Sequence, residues 1–240
     1  VSDRSPAAWA DLLEYLDDVG YGELYLRPAA DRPGAGAAPE EVPGEVPPGA
    51  PADPGERRRR LEAVAREASG CTACRLSEKR QKVVFGSGDP NAELMFIGEG
   101  PGAEEDRQGL PFVGPAGELL TRIIRAIDLD RDQVYIANVV KCRPPGNRDP
   151  QPDEVAACRG YLEAQIDLVQ PKLIVALGKV AAQTLLGTDQ SLGRMRGRWY
   201  TVRGVPTRVT YHPAALLHNT SYKRPTWEDM QLVRDRLRQG

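Results

Sequence analysis

A chain of 240 residues that is 40% hydrophobic can bury a full α/β core, so it needs no disulfide or metal merely to fold. No apolar run approaches the roughly 18 residues of a membrane span, and no basic segment followed by an apolar core marks a secretory signal. The formal net charge of −2 hides a division: residues 1–56 hold twelve acidic and three basic side chains, residues 57–240 twenty-two and twenty-nine. A basic body is compatible with a polyanionic partner and equally with an ordinary solvated surface.

In chain order, residues 1–27 place Trp9, Leu12, Leu13 and Leu16 at helical spacing after Ser5-Pro6, which predicts a short amphipathic segment. Residues 28–55 are rich in proline and glycine with almost no large apolar side chain. Such a stretch cannot offset its ordering entropy by burial and is expected to be a disordered linker. A globular domain over 56–240 follows, opening with Arg57–Arg60 and LEAVAREAS, a helical pattern that leads into Cys71.

Cys71-Thr-Ala-Cys74, Cys142 and Cys158 are the only four cysteines. A Cys-x-x-Cys turn lets two thiolates converge on one centre, and a closed shell needs two more from elsewhere in the fold. An iron–sulfur cluster, a zinc ion, two disulfides and unrelated buried thiols all stay open at this point; the lack of a secretory signal favours a metal.

From Glu93 onward short β-branched runs alternate with helical stretches, the pattern of a doubly wound parallel sheet. Four strands are predicted, at Leu94–Gly98, Val134–Val139, Leu173–Leu177 and Thr207–Tyr211, with helices near 115–127, 152–169, 179–187 and 225–238. Ligands of such sheets bind beyond the carboxyl ends of the strands. There stand Glu99-Gly100-Pro101-Gly102 with Glu104-Glu105-Asp106, then Asn138, then His212-Pro213. The acidic residues argue against a pyrophosphate in the glycine loop. An asparagine amide can donate and accept at one base edge, and a histidine can stabilise a developing anion.

CxxC ahead of the first strand, GEGPGAEED with GLPFVGPAG, NVVKCRPPGNRDPQPDE with Cys158 in the next helix, and HPAALLHN before a final helix containing WEDM together resemble the iron–sulfur-containing family 4 uracil-DNA glycosylases of bacteria and archaea. The resemblance covers about Cys71 to Leu237. It implies a three-layer α/β/α sandwich around a central, mainly parallel four-stranded sheet, and a 4Fe-4S cluster on Cys71, Cys74, Cys142 and Cys158. It also implies excision of uracil from single- or double-stranded DNA by hydrolysis of the N-glycosidic bond, in base-excision repair, by a cytoplasmic, monomeric enzyme.

Carried over residue by residue, the resemblance makes Phe112 a stacking platform for a flipped base and Asn138 the partner of its Watson–Crick edge. Glu105 fills the space of a thymine methyl, Gly100 and Pro101 line the wall, His212 stabilises the leaving anion, and Glu99 positions water. Leu216 and Leu217 form an apolar wedge in the DNA. The loop departs from the family's usual Ser-Tyr-Leu-Leu-Arg, reading Ala214-Ala215-Leu216-Leu217-His218 after the His-Pro pair. Two other readings are a DNA-binding or polymerase-associated protein with a degenerate site, and a glycosylase for another deaminated base. The N-terminal segment is the expected contact for a replication or repair protein.

Overall fold

A computed structural model describes residues 53–239. The expectations for 1–27 and for all but the end of 28–55 lie outside the described residues. Residues 54 and 55, placed in the linker from sequence, instead begin helix α1 (Pro54–Ser69). Asp53 caps it, its carboxylate accepting from the Gly55 and Glu56 amides (3.2 and 3.1 Å), and Pro54 has no amide to satisfy.

The expected four parallel strands are present as β2 (Leu94–Gly98), β3 (Tyr135–Asn138), β4 (Leu173–Leu177) and β6 (Val205–Thr210). The sheet has six strands rather than four, because β1 (Ser87–Gly88) and β5 (Trp199–Val202) add antiparallel edges in the order β1-β3-β2-β4-β6-β5. β5 and β6 are joined by Arg203-Gly204, both at positive φ (50° and 81°), the two-residue turn that suits strand twist.

Helices α2 (Ala103–Gln108), α3 (Pro115–Ala126), α4 (Pro152–Val169), α5 (Lys179–Leu186), α6 (Leu192–Met195), α7 (Pro213–His218) and α8 (Lys223–Leu237) complete the fold. Strand alternation sorts the core into two faces. Leu94 and Phe96 pack with Leu119, Ile123 and Met230 from α3 and α8, while Met95 and Ile97 pack with Leu61, Leu162 and Ile166 from α1 and α4. The result is the expected α/β/α sandwich.

Strand order and register then decide which loops become neighbours. Gly98 pairs with Asn138, Ile97 with Ala176, and Leu177 with Thr210, so the carboxyl ends of β3, β2, β4 and β6 stand side by side. Asn138, Glu99, Gly178 and His212 are brought to one edge from positions up to 113 residues apart. Gly178 (φ +89°) comes so close to His212 that a β-carbon there would lie 2.9 Å from the histidine Cβ.

Candidate active site

A cavity of about 330 Å³ opens at this edge. Glu99, Gly100, Pro101, Glu105, Phe112, Asn138 and His212, the residues singled out from sequence, all line it.

Asn138 is almost fully buried, and its Oδ1 is buried without a hydrogen-bond partner. Burying such an acceptor costs about 1–3 kcal/mol, so its placement in a cavity wall marks a receiving point for a donor. Phe112 stands beside it, its ring 5.5 Å from that of His212 and tilted by 30°. The Phe112 backbone has φ 51°, rare for a non-glycine residue, and the local structure holds it there. A β-carbon on Gly117 would lie 1.9 Å from the Phe112 carbonyl oxygen, and Arg131 Nη2 donates to the Pro111 carbonyl.

Glu105 organises the rest of that loop. Its carboxylate accepts from the Gly102, Val113 and Gly114 amides (3.1, 2.9 and 3.1 Å), tying the start of α2 to the start of α3. The side chain therefore has a fixed position in the cavity wall.

His212 is at the N-cap of α7, where the Ala214 amide donates to its Nδ1 (3.1 Å). Nδ1 is thus an acceptor, and in the neutral ring the hydrogen lies on Nε2. Burial pushes the imidazole pKa down to about 4, against the pull of the nearby Glu105 charge. Glu99 moves the other way. Burial first, and the charge of Asp149 second, raise its pKa to about 7, with Lys179 opposing.

Asn147, Arg148 and Asp149 also line the cavity, and sequence reasoning had not assigned them. Arg148 grips the fully buried Glu154 with two hydrogen bonds (2.8 and 2.6 Å). Arg75, next to Cys74, donates to Asp153 (2.6 Å) and lies 3.5 Å from Glu154. These ion pairs join the cavity wall to the cysteine region.

The leucine pair is divided. Leu216 is fully buried among the α3 and α8 side chains, whereas Leu217 is 45% exposed. Adjacent residues on a helical turn point about 100° apart, so only one of the two can face outward here.

Cys142 and Cys158 are buried and Cys71 and Cys74 partly so; none is in a disulfide. Burial raises the thiol pKa of Cys142, and that of Cys158 to about 11, while Cys74 lies close enough to add its charge to both. Arg80 Nη1 donates to Cys142 Sγ (3.2 Å) and the Lys141 amide to Cys158 Sγ (3.5 Å). A set of thiols from three parts of the chain, met by a guanidinium and an amide, fits an iron–sulfur cluster, whose anionic sulfurs need such donors. Among the described residues, no three metal-binding side chains converge as ligands of a single ion.

Residues 85–231 match the family model described as the uracil DNA glycosylase superfamily. The chain is 45% identical over 184 residues to the type-4 uracil-DNA glycosylase of Sulfurisphaera tokodaii, covering 73% of this chain and 84% of that protein. It is 44% identical over 186 residues to that of Saccharolobus solfataricus (74% and 86%), and 44% over 181 residues to that of Thermotoga maritima (73% and 93%).

Proposed function

This chain belongs to the uracil-DNA glycosylase superfamily, in its type-4 group, and from that membership we propose that it excises uracil from DNA to leave an abasic site. The observation that carries the reading to this chain's own residues is the buried, unpartnered Asn138 Oδ1 in a cavity shared with Phe112 and His212.

A base inside a duplex is out of reach, so it must be flipped into the cavity. There Phe112 stacks on its face, Asn138 Oδ1 accepts from N3–H, and the amide nitrogen donates to O4. Cytosine presents an acceptor at N3 and meets Oδ1 as a mismatch. Thymine differs from uracil only by its C5 methyl. The Glu105 carboxylate, held by three amides, is the fixed wall against that methyl.

As the bond between N1 and C1′ breaks, its electrons pass to the base and negative charge develops on O2. Neutral His212 donates Nε2–H to that oxygen, a donor aimed before the reaction begins. The sugar becomes oxocarbenium-like and water adds at C1′, the proton it loses being balanced by the one the departing uracil anion takes up. Glu99, at the cavity wall, orients that water and opposes the positive charge. Leu217 alone enters the space vacated in the DNA. The four cysteines hold a 4Fe-4S cluster, which when bound cross-links loops beside the DNA-facing edge. The substrate is uracil-containing DNA, and among the described residues no helix is long and apolar enough to cross a membrane.

The test is incubation with single- and double-stranded oligonucleotides bearing uracil opposite guanine or adenine, followed by alkali. Strand breaks at uracil are expected, with a loss on the order of 10⁴-fold in Asn138→Ala, as for a site that pairs its substrate edge. No alkali-labile product with any substrate, or Asn138→Ala at full rate, overturns the reading.

A further inference from the structure

Lys141 is fully buried, and among the described residues no carboxylate meets its amine. Nζ donates instead to the main-chain carbonyl of Asn138 (2.7 Å) and to Gln165 Oε1, and lies 5.8 Å from the centre of the Phe85 ring. Gln165 is fixed in turn, its amide donating to the Phe85 carbonyl (2.9 Å) and the Tyr135 hydroxyl (3.1 Å). The Lys141 main chain is engaged as well: its carbonyl accepts from the Val84 amide (2.8 Å) and its amide donates to Cys158 Sγ (3.5 Å).

A buried amine is costly to keep there, and an apolar side chain of the same length would pack with less penalty. What the amine does at this point is local and directional. It seizes the last carbonyl of β3, which cannot continue the ladder because the strand ends at Asn138. The Val139 and Val140 amides, donating to the Gly98 and Glu99 carbonyls (2.9 and 3.1 Å), hold the other side of the same turn.

We propose that Lys141 is a positioning residue for base recognition: it locks the Asn138 peptide, and so the direction of the Asn138 side chain, to the segment that carries Cys142 and contacts Cys158. The inference rests on the reading of Asn138 as the residue that pairs with uracil. It adds a specific consequence. The cysteine-bearing segment and the base-recognition side chain are one mechanical unit, joined through a single residue.

The test is a double-mutant cycle of Lys141→Met and Asn138→Ala, read by single-turnover excision. It is read also by affinity for DNA carrying a 2′-fluoro-deoxyuridine that resists cleavage. Iron content is measured on every variant. Lys141→Met is expected to slow excision and weaken that affinity by roughly 10- to 100-fold with iron retained, the scale of leaving one buried carbonyl without its hydrogen bond. In the Asn138→Ala background the same change is expected to have less than a threefold effect, because the group it positions is gone.

Equal losses in both backgrounds would mean that Lys141 supports the fold at large, and wild-type behaviour of Lys141→Met with iron intact would mean that it positions nothing; either overturns the proposal. Asn138→Ala at wild-type rate would instead overturn the underlying reading of the pocket. If Lys141→Met does not fold, Gln165→Met replaces it in the cycle. This change removes the second acceptor that orients Lys141 Nζ and so loosens its hold on the Asn138 carbonyl; additive losses there overturn the proposal in the same way.

Discussion

Gly98 and Asn138 approach so closely that a β-carbon on Gly98 would lie 2.5 Å from Asn138 Oδ1, and 2.6 Å from Phe112 Cζ. The end of β2 is thus the floor on which the Asn138 and Phe112 side chains meet. Gly98→Ala is expected to displace one of them and cut single-turnover excision by at least 10²-fold, while far-UV circular dichroism still shows the α/β fold. Near-normal excision would mean that neither group needs its observed position.

If His212 donates to the developing oxyanion as proposed, His212→Ala is expected to slow the chemical step by about 10²–10³-fold. Affinity for abasic DNA should change little, which separates it from Asn138→Ala. An equal loss of affinity and rate would assign His212 to binding alone.

The pH dependence follows from Glu99. Its pKa near 7 means the carboxylate grows as pH rises, so the single-turnover rate should climb about tenfold per unit below 7 and level above it. His212, with a pKa near 4, is already neutral across that range. Asp149→Asn removes a charge that raises Glu99 and should move the limb to lower pH; Lys179→Met should move it to higher pH. A limb that stays in place in both variants and in Glu99→Gln belongs to another group.

For the cysteines, anaerobically purified protein is expected to be brown with broad visible absorption, and Cys158→Ser to lose iron and stability. Arg80→Met, which deletes the donor to Cys142 Sγ, should speed bleaching in air without altering the initial iron content. One zinc per colourless chain would refute the choice of metal.

Removing residues 1–52 is expected to leave excision from short oligonucleotides near wild type, since the described residues alone form the cavity wall around Asn138 and His212. Removal of 1–55 also deletes the Asp53 cap and should cost roughly 1 kcal/mol of stability. A large activity loss in the shorter truncation would show that the segment around Trp9 contributes to the enzyme.

The parallel strands were legible because burial on both faces leaves short, nearly continuous apolar runs; Leu94–Gly98 and Leu173–Leu177 match residue for residue. The edges were not. Ser87–Gly88 is too short for any periodicity, and Trp199–Val202 is only partly buried along most of its length. All seven cavity residues expected from motifs converge, yet Asn147 to Asp149 escaped notice because they enter on a turn at Gly146 and Asn147 (φ 66° and 56°) and resemble a solvated loop. Leu216 and Leu217 are equivalent in sequence, and only the helical phase of α7 tells core from surface. Lys141 was hidden for a different reason: lysines are rarely buried, and nothing local announces one that is.

The Phe112 turn has a thermodynamic consequence. With Glu105 bonded to the amides on its far side and Gly117 pressed against its carbonyl, the Phe112 backbone is fixed before any nucleotide arrives. The entropy of ordering that turn is charged to folding, and a base extruded into the cavity as proposed would dock without rearranging it. Selection among bases then falls on the fixed edge and wall rather than on a closing movement, so discrimination should vary little with temperature even as the rate of extrusion rises steeply.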